Sequence, residues 1–571
     1  MKSSCFTLRL RIIFIAFIFI AVILFIRLYF LQIIRGEYYN IIAEQKQTTS
    51  VNGIFDRGSI FFTSRDGSLI PAASLKKEYT LSINPSVIKK PEDVYLKISS
   101  VLSIDKNLFL QKAGKITDPY EEIMKKVPEK EAIHISDMKI QGVFVEIDKA
   151  RSYPGGKLAS NVVGFVGFNG DKLEGRYGLE KYYDDLLERS STEVYVNPYA
   201  EIFLNIKKNF LGTQEGDVVT SIEPEVEGFL ESEISAVNAK WSSQITGGII
   251  LDPKTGEIYA MAVTPTFDPN TYGSESNVSV FGDPLVSNAY EMGSIIKAIT
   301  MASGLDSGVV TAKTTYDDKG FLMVDGYKVS NYDGKGRGII DMQGVLNNSL
   351  NTGASFVEAQ LGKDKFTEYF KKFGIGMETG IDLPAEAAGN IENLKSAGTV
   401  EYYNASFGQG ISMTPIITAR ALSVLANGGK LITPHVVKTI NYKWAPAKTI
   451  SYVNEADQVI KKSSADEITR MLVEVVDKAL LKGDVKMDHY SIAAKTGTAQ
   501  IARPKAEGGG YYPNRYLHSF FGYFPAYNPR FLVLLYTFDP KGVDYASQTL
   551  TMPFIDTAKF LINYYEISPD R

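Results

Sequence analysis

Ser294-Ile295-Ile296-Lys297 opens an apolar helical stretch, Ser349-Leu350-Asn351 stands in the polar run from Asn347 to Gly353, and Lys495-Thr496-Gly497-Thr498 lies in the alternating stretch Ser491 to Gln500. S-x-x-K and S-x-N are weak signals alone, since each is expected roughly once or twice by chance in a chain of this length. Lys-Thr-Gly is rarer, and the three strings in this order carry the groups that an activated serine needs. The bland alternative is a helix-start serine, a loop Ser/Asn pair and a turn lysine that never meet.

Ser294 follows Glu291-Met292-Gly293 and precedes an apolar run to about Ser303. That places it at a helix amino terminus, where the dipole favours a developing alkoxide. Lys297 shares its helix face and can reach the serine oxygen. Desolvated and crowded by a second cation, this lysine would hold its proton weakly and act as the base. Ser349 would relay the proton to a leaving amine, and the Asn351 amide would hold Lys297 and a substrate backbone. Leu350 should point away, so that its size matters little. Small residues around Lys495 suit an edge strand, and Gly497 would let an extended peptide lie along it. Lys495, Thr496 and Thr498 would bind a terminal carboxylate, while the backbone N–H groups of Thr498 and Ser294 would form an oxyanion hole.

The rest of the chain narrows the classes. At 571 residues it is long enough for two to four domains. With 61 basic against 65 acidic residues, a net of −4, it has no electrostatic footprint for nucleic acid. Cys5 is the only cysteine, so neither an internal disulfide nor a thiolate zinc site is available. His134, His435, His489 and His518 are scattered without an H-E-x-x-H string, so no metal and no cofactor is expected.

Residues Ile12 to Ile26 are all apolar, and after Arg27 the run resumes to Ile34. A helix over 12–34 would measure roughly 34 Å, enough to cross the hydrocarbon core. Lys2, Arg9 and Arg11 precede it with no acid before Glu37, which keeps the amino end in the cytoplasm. A cleavable signal peptide is the rival reading, but bulky Arg27-Leu28-Tyr29-Phe30-Leu31 stands where a small-residue cleavage site would be needed. The division expected is therefore a cytoplasmic start at 1–11, a transmembrane anchor at 12–34, an outer mixed α/β pedestal at 35–215, and a catalytic domain at 216–571. Within the last, Pro224 sits at a first helical position, with Val226, Phe229, Leu230, Ile234 and Val237 at helical spacing. Gly248 to Leu251 and Ile258 to Val263 flank a turn at Asp252 to Gly256, Arg530 to Tyr536 reads as a buried strand, and Pro553 to Tyr564 as a closing helix. Helix, strands, many helices, strands, helix is the order of an α+β domain with a central antiparallel sheet.

With those residues together, the chain resembles a class B penicillin-binding protein, a membrane-anchored peptidoglycan D,D-transpeptidase with a serine β-lactamase-like domain. The resemblance extends to Asp56-Arg57-Gly58, Arg151-Ser152-Tyr153-Pro154 and Gly178-Leu179-Glu180 in the pedestal. It also covers Leu251 to Ile258, Ser406-Phe407-Gly408-Gln409-Gly410 and Phe520 to Ala526. It implies that Ser294 attacks the penultimate D-alanine carbonyl of one stem peptide, releases D-alanine and passes the acyl group to an amine on another, and that β-lactams acylate the same serine. It further implies a dimerisation-type pedestal and partnership with a separate multipass membrane glycosyltransferase. The short pedestal and the Ser519 to Pro525 string after His518 favour the division type over the elongation type. The sequence departs from the pattern at Met292, where proline is usual, at Leu350, where serine is common, and at Ala494, where glycine is common; Ala494 would narrow the approach to the strand. The pedestal arginines and glycines are expected to build turns and ion pairs. A β-lactamase or D,D-carboxypeptidase would use the same serine, and a non-catalytic β-lactam sensor or scaffold is the reading from another class.

Overall fold

The structure, a computed structural model, describes Arg27 and residues 56–170, 172–189, 214–453 and 457–571. The apolar run 12–34 lies outside the described residues except Arg27, which is helical and exposed. Among the described residues no helix is long and apolar enough to cross a membrane.

Among the described residues compactness separates two units: Glu78–Lys149 belongs to one, while Asp56–Lys77, the described residues from 150 to 189 and those from 214 to 571 belong to the other. The smaller unit packs helices Pro91–Ser99, Lys106–Ala113 and Glu129–Asp137 with strand Glu121–Val127 and the inner ends of strands Leu69–Ile83 and Val143–Ser152. Leu81, Ile83, Ile98, Phe109, Ala132 and Ile135 form its core. In the larger unit the quoted pedestal residues form one buried ion cluster. Glu180, wholly buried, accepts from Arg57 Nε and from Arg151 Nε, each at 2.6 Å, and Arg57 also pairs with Asp184 at 2.8 Å.

The larger unit is built on five antiparallel strands. These are β1 (Ile245–Leu251), β2 (Ile258–Thr264), β3 (Ala493–Ala502), β4 (Tyr511–Phe524) and β5 (Phe531–Phe538), in the order β3-β4-β5-β1-β2. Helices α1 (Pro224–Trp241), α2 (Lys297–Ser307), α3 (Asn351–Leu361), α4 (Pro415–Ala426), α5 (Lys462–Glu474) and α6 (Thr551–Tyr564) surround it. Side chains alternate across a strand, and along β5 Leu532, Leu534 and Tyr536 enter the core with α2, α4 and α5, whereas Val533 and Leu535 enter the core with α1 and α6. Burial on both faces is why Phe531 to Tyr536 reads as an unbroken apolar run rather than an alternating one. Helix α1 starts as its sequence requires: Pro224 is in the first turn and the Glu223 side chain accepts from Val226 N at 2.7 Å. The α+β class and the antiparallel central sheet are both present. Among the described residues strand β3 stands at an edge of the sheet, with no other strand on its outer side.

Candidate active site

Ser294 lies in a single 3-10 turn, Gly293–Ile296, that runs straight into α2. The turn is pressed against β3. Gly293 has φ +63, and a Cβ there would stand 2.8 Å from Thr498 O; its own N–H donates to Gly408 O at 3.1 Å. On the opposite side a Cβ at Gly497 would lie 2.3 Å from Ser519 Oγ and 2.7 Å from Met292 O, closer than real Cβ atoms approach. The packing of the nucleophile turn on β3 thus by itself requires glycine at 497, a constraint beyond the peptide approach expected from the sequence. Met292, in the position where proline is usual, is fully buried, and its carbonyl accepts from Ser519 Oγ at 2.7 Å. Ser294 is half-buried, while Ile295, Ile296 and Lys297 are inside.

The three strings converge on Ser349. Lys297 Nζ donates to Ser349 O at 2.6 Å and to Ser349 Oγ at 3.3 Å. Lys495 Nζ donates to the same Oγ at 2.9 Å and to Thr496 O at 3.0 Å. Two amines thus meet one hydroxyl, which can accept from both and still direct its own proton elsewhere. Both are almost completely buried, and among the described residues neither forms an ion pair. Burial first, and then the charge of Lys495, hold the Lys297 ammonium well below the usual lysine range; burial alone pushes Lys495 down to about 7. An amine whose proton affinity is lowered in this way is a better acceptor for a hydroxyl proton than an ordinary lysine.

Ser349 sits between a helix ending at Asn347 and α3, with φ +51. That conformation costs a non-glycine residue about 1–3 kcal/mol and persists only when its surroundings enforce it. Leu350 points away as expected, but it is wholly buried in the main core, so its size is constrained. The Asn351 amide does not hold Lys297; its Nδ2 donates to Ser330 O at 2.8 Å. No side-chain hydrogen bond joins Ser294 to Lys297, whose amine turns to Ser349 instead.

Along β3, Lys495, Gly497 and Ala499 are buried while Thr496 and Thr498 are partly open. Ala494 faces the core shared with α1 and α6, the side opposite Lys495, and so does not narrow the approach to the strand. Thr498 Oγ1 accepts from Ala546 N at 3.1 Å. Its register partner His518 is buried, bonded through Nδ1 to Thr549 Oγ1 at 3.0 Å and pushed down to about 4 by burial, so it stays neutral near pH 7. Among the described residues no cluster of His, Cys, Asp and Glu could hold a metal ion. Two neighbours of the site escaped the sequence reading. Glu291 accepts from Tyr511 Oη at 3.0 Å and is raised to about 7 by burial. Asp318, ending the strand Thr315–Asp318, and Asn331, just after the strand Tyr327–Ser330, bond to Thr352 next to Asn351. Neither carries a motif, because each depends on a meeting of distant residues.

Residues 246–557 match the family model of the penicillin-binding protein transpeptidase domain, and residues 56–219 that of the penicillin-binding protein dimerisation domain. Stage V sporulation protein D of Bacillus subtilis is 30% identical over 569 residues, covering 97% of this chain and 85% of that protein. The probable peptidoglycan D,D-transpeptidase PenA of Neisseria meningitidis is 25% identical over 556 residues, 94% of this chain and 91% of that protein. Among solved structures, penicillin-binding protein 2X from Streptococcus thermophilus shares the fold with a TM-score of 0.75 at 19% identity, over 90% of this chain and 81% of that one. Penicillin-binding protein 3 from Mycobacterium tuberculosis, complexed with aztreonam, does so with a TM-score of 0.68 at 21% identity, over 90% of this chain and 98% of that one.

Proposed function

The chain belongs to the penicillin-binding protein transpeptidase family, and we propose that it is a serine D,D-transpeptidase that cross-links peptidoglycan stem peptides during cell-wall synthesis. The observation that carries the reading is the meeting of two buried lysine amines, both with lowered proton affinity, on the Ser349 hydroxyl beside the turn that bears Ser294. Neutral Lys297 takes the Ser294 proton as Oγ bonds to the carbonyl carbon of the penultimate D-alanine. As the C–N bond breaks, a proton passes through Ser349 to the leaving nitrogen, and D-alanine departs from a Ser294 ester. The amine of a second stem peptide then attacks that ester, forms the cross-link and returns the proton to Ser294. Lys495, with Thr496 and Thr498, takes the terminal carboxylate; Gly497 keeps the turn in place; Asn351 orients the donor backbone; the N–H groups of Ser294 and Thr498 receive the oxyanion. A β-lactam enters by the same first step, but its opened ring nitrogen stays tethered to the acyl group.

In this reading residues 12–34 anchor the protein in the cytoplasmic membrane with 1–11 inside, residues 35–215 form the pedestal, and residues 216–571 work outside the membrane. The uninterrupted apolar run and its basic flank support that topology. The glycan strands would come from a separate multipass membrane glycosyltransferase, and the short pedestal favours the division machinery. Covalent labelling of the full chain by a fluorescent penicillin tests the chemistry. A long-lived adduct on the wild type, absent from Ser294→Ala, is expected. Rapid turnover of the adduct would make the protein a hydrolase, and a folded wild type that takes no label would overturn the assignment.

A further inference from the structure

Helix α3 begins at Asn351 with Leu350 in the capping position, which has no oxygen in its side chain. The first N–H groups of a helix lack intrahelical partners, and a polar side chain at the cap usually accepts one. Here the oxygen comes from another part of the chain: Asn331 Oδ1 accepts from Thr352 N at 3.2 Å. Asn331 is buried, and its Nδ2 donates to Asp318 Oδ1 at 3.0 Å and Oδ2 at 3.1 Å, which turns the amide so that its oxygen faces the helix. Asp318, also buried, accepts from Thr352 Oγ1 at 2.8 Å and from the N–H groups of Gly320 and Arg337, each at 3.0 Å. The preceding residue, Ser330, takes the Asn351 amide on its carbonyl oxygen. The start of α3 is thus gripped from one side by Asp318, Ser330 and Asn331, while Leu350 is fixed by the core. Immediately before these two holds stands Ser349 in its strained backbone conformation.

We propose that Asp318 and Asn331 are positioning residues for the reaction: by capping α3 from outside they set the register of Ser349 and Asn351 against Lys297 and Lys495. The inference rests on the transpeptidase reading, in which the Ser349 hydroxyl relays a proton. A misplacement on the order of 1 Å in such a relay is enough for about a hundredfold loss of rate.

The test measures acylation of the full chain by a fluorescent penicillin over a range of concentrations, which separates the first-order acylation constant from the half-saturating concentration. Asn331→Ala and Thr352→Val should each lower the acylation constant by about 10- to 100-fold. The half-saturating concentration should stay within about threefold of the wild type. Thr352→Ser, which keeps the hydroxyl, should restore the rate. Acylation constants within about twofold of the wild type in the folded variants would overturn the proposal. So would a Thr352→Ser protein as slow as Thr352→Val, since packing of the methyl group would then be the cause. If Asn331→Ala fails to fold, the threonine pair decides. A wild type that takes no label overturns the transpeptidase reading and this proposal with it; labelled wild type with unaffected variants overturns this proposal alone.

Discussion

Replacing Lys495 by methionine should raise stability at neutral pH while removing activity. The side chain is 2% exposed, and burial lowers its ammonium from 10.5 to about 7. At about 1.4 kcal/mol per pH unit, that difference is a penalty of about 5 kcal/mol for placing a lysine in this site. Against it stand the two hydrogen bonds from Nζ to Ser349 Oγ and Thr496 O, at about 0.5–1.5 kcal/mol each. The balance is a gain of about 2–4 kcal/mol for methionine at or below pH 7. The sign with pH follows from proton counting. Between about 7 and 10.5 the unfolded chain holds a proton that the folded chain has released, so the wild type gains stability as pH rises through that window. The advantage of methionine must shrink over the same interval. Urea denaturation of both proteins between about pH 6 and pH 9.5 measures it. Acylation by a fluorescent penicillin should fall by about 10²- to 10⁴-fold in the variant. A variant less stable than the wild type at low pH, or a difference that does not change with pH, would refute the argument that Lys495 is held against its own solvation.

The rate of penicillin acylation in the wild type should rise to its plateau well below the ordinary lysine range, because burial and then the charge of Lys495 hold the Lys297 amine down; a rate still climbing through the ordinary lysine range would remove Lys297 as the base. Gly497→Ala should cost at least about 1–3 kcal/mol and slow acylation. Adding Ser519→Ala should recover only part of the loss in melting temperature, because the clash with Met292 O remains. Glu180→Gln should destabilise by about 3–5 kcal/mol, since Arg57 and Arg151 lose their shared charge in a buried site. The folded fraction should still be acylated at the wild-type rate, and a variant with an unchanged melting temperature would show the cluster to be solvated.

Much of the fold was legible because its signals are local. Pro224 at a first helical position, the apolar run from Phe531 to Tyr536 and the turn residues from Asp252 to Gly256 act within a few positions of themselves, and helix, strand and turn follow at those places. The strings around Ser294, Ser349 and Lys495 were likewise visible as chemistry. What misled was orientation. Leu350 was read as a residue of free size and Asn351 as a partner of Lys297, because composition says which groups are present but not which way each one turns.

The sequence by itself determined the three-string order, the α+β succession of elements and the impossibility of an internal disulfide, because residue type and spacing act through backbone propensity and side-chain functional groups. Only the tertiary structure decided that both lysines meet on Ser349, that neither has a carboxylate beside it among the described residues, and that Asn331 caps α3 from outside. The physical reason is that proton affinity and hydrogen-bond direction depend on the surroundings within a few ångströms. Those surroundings are assembled from segments that lie far apart along the chain.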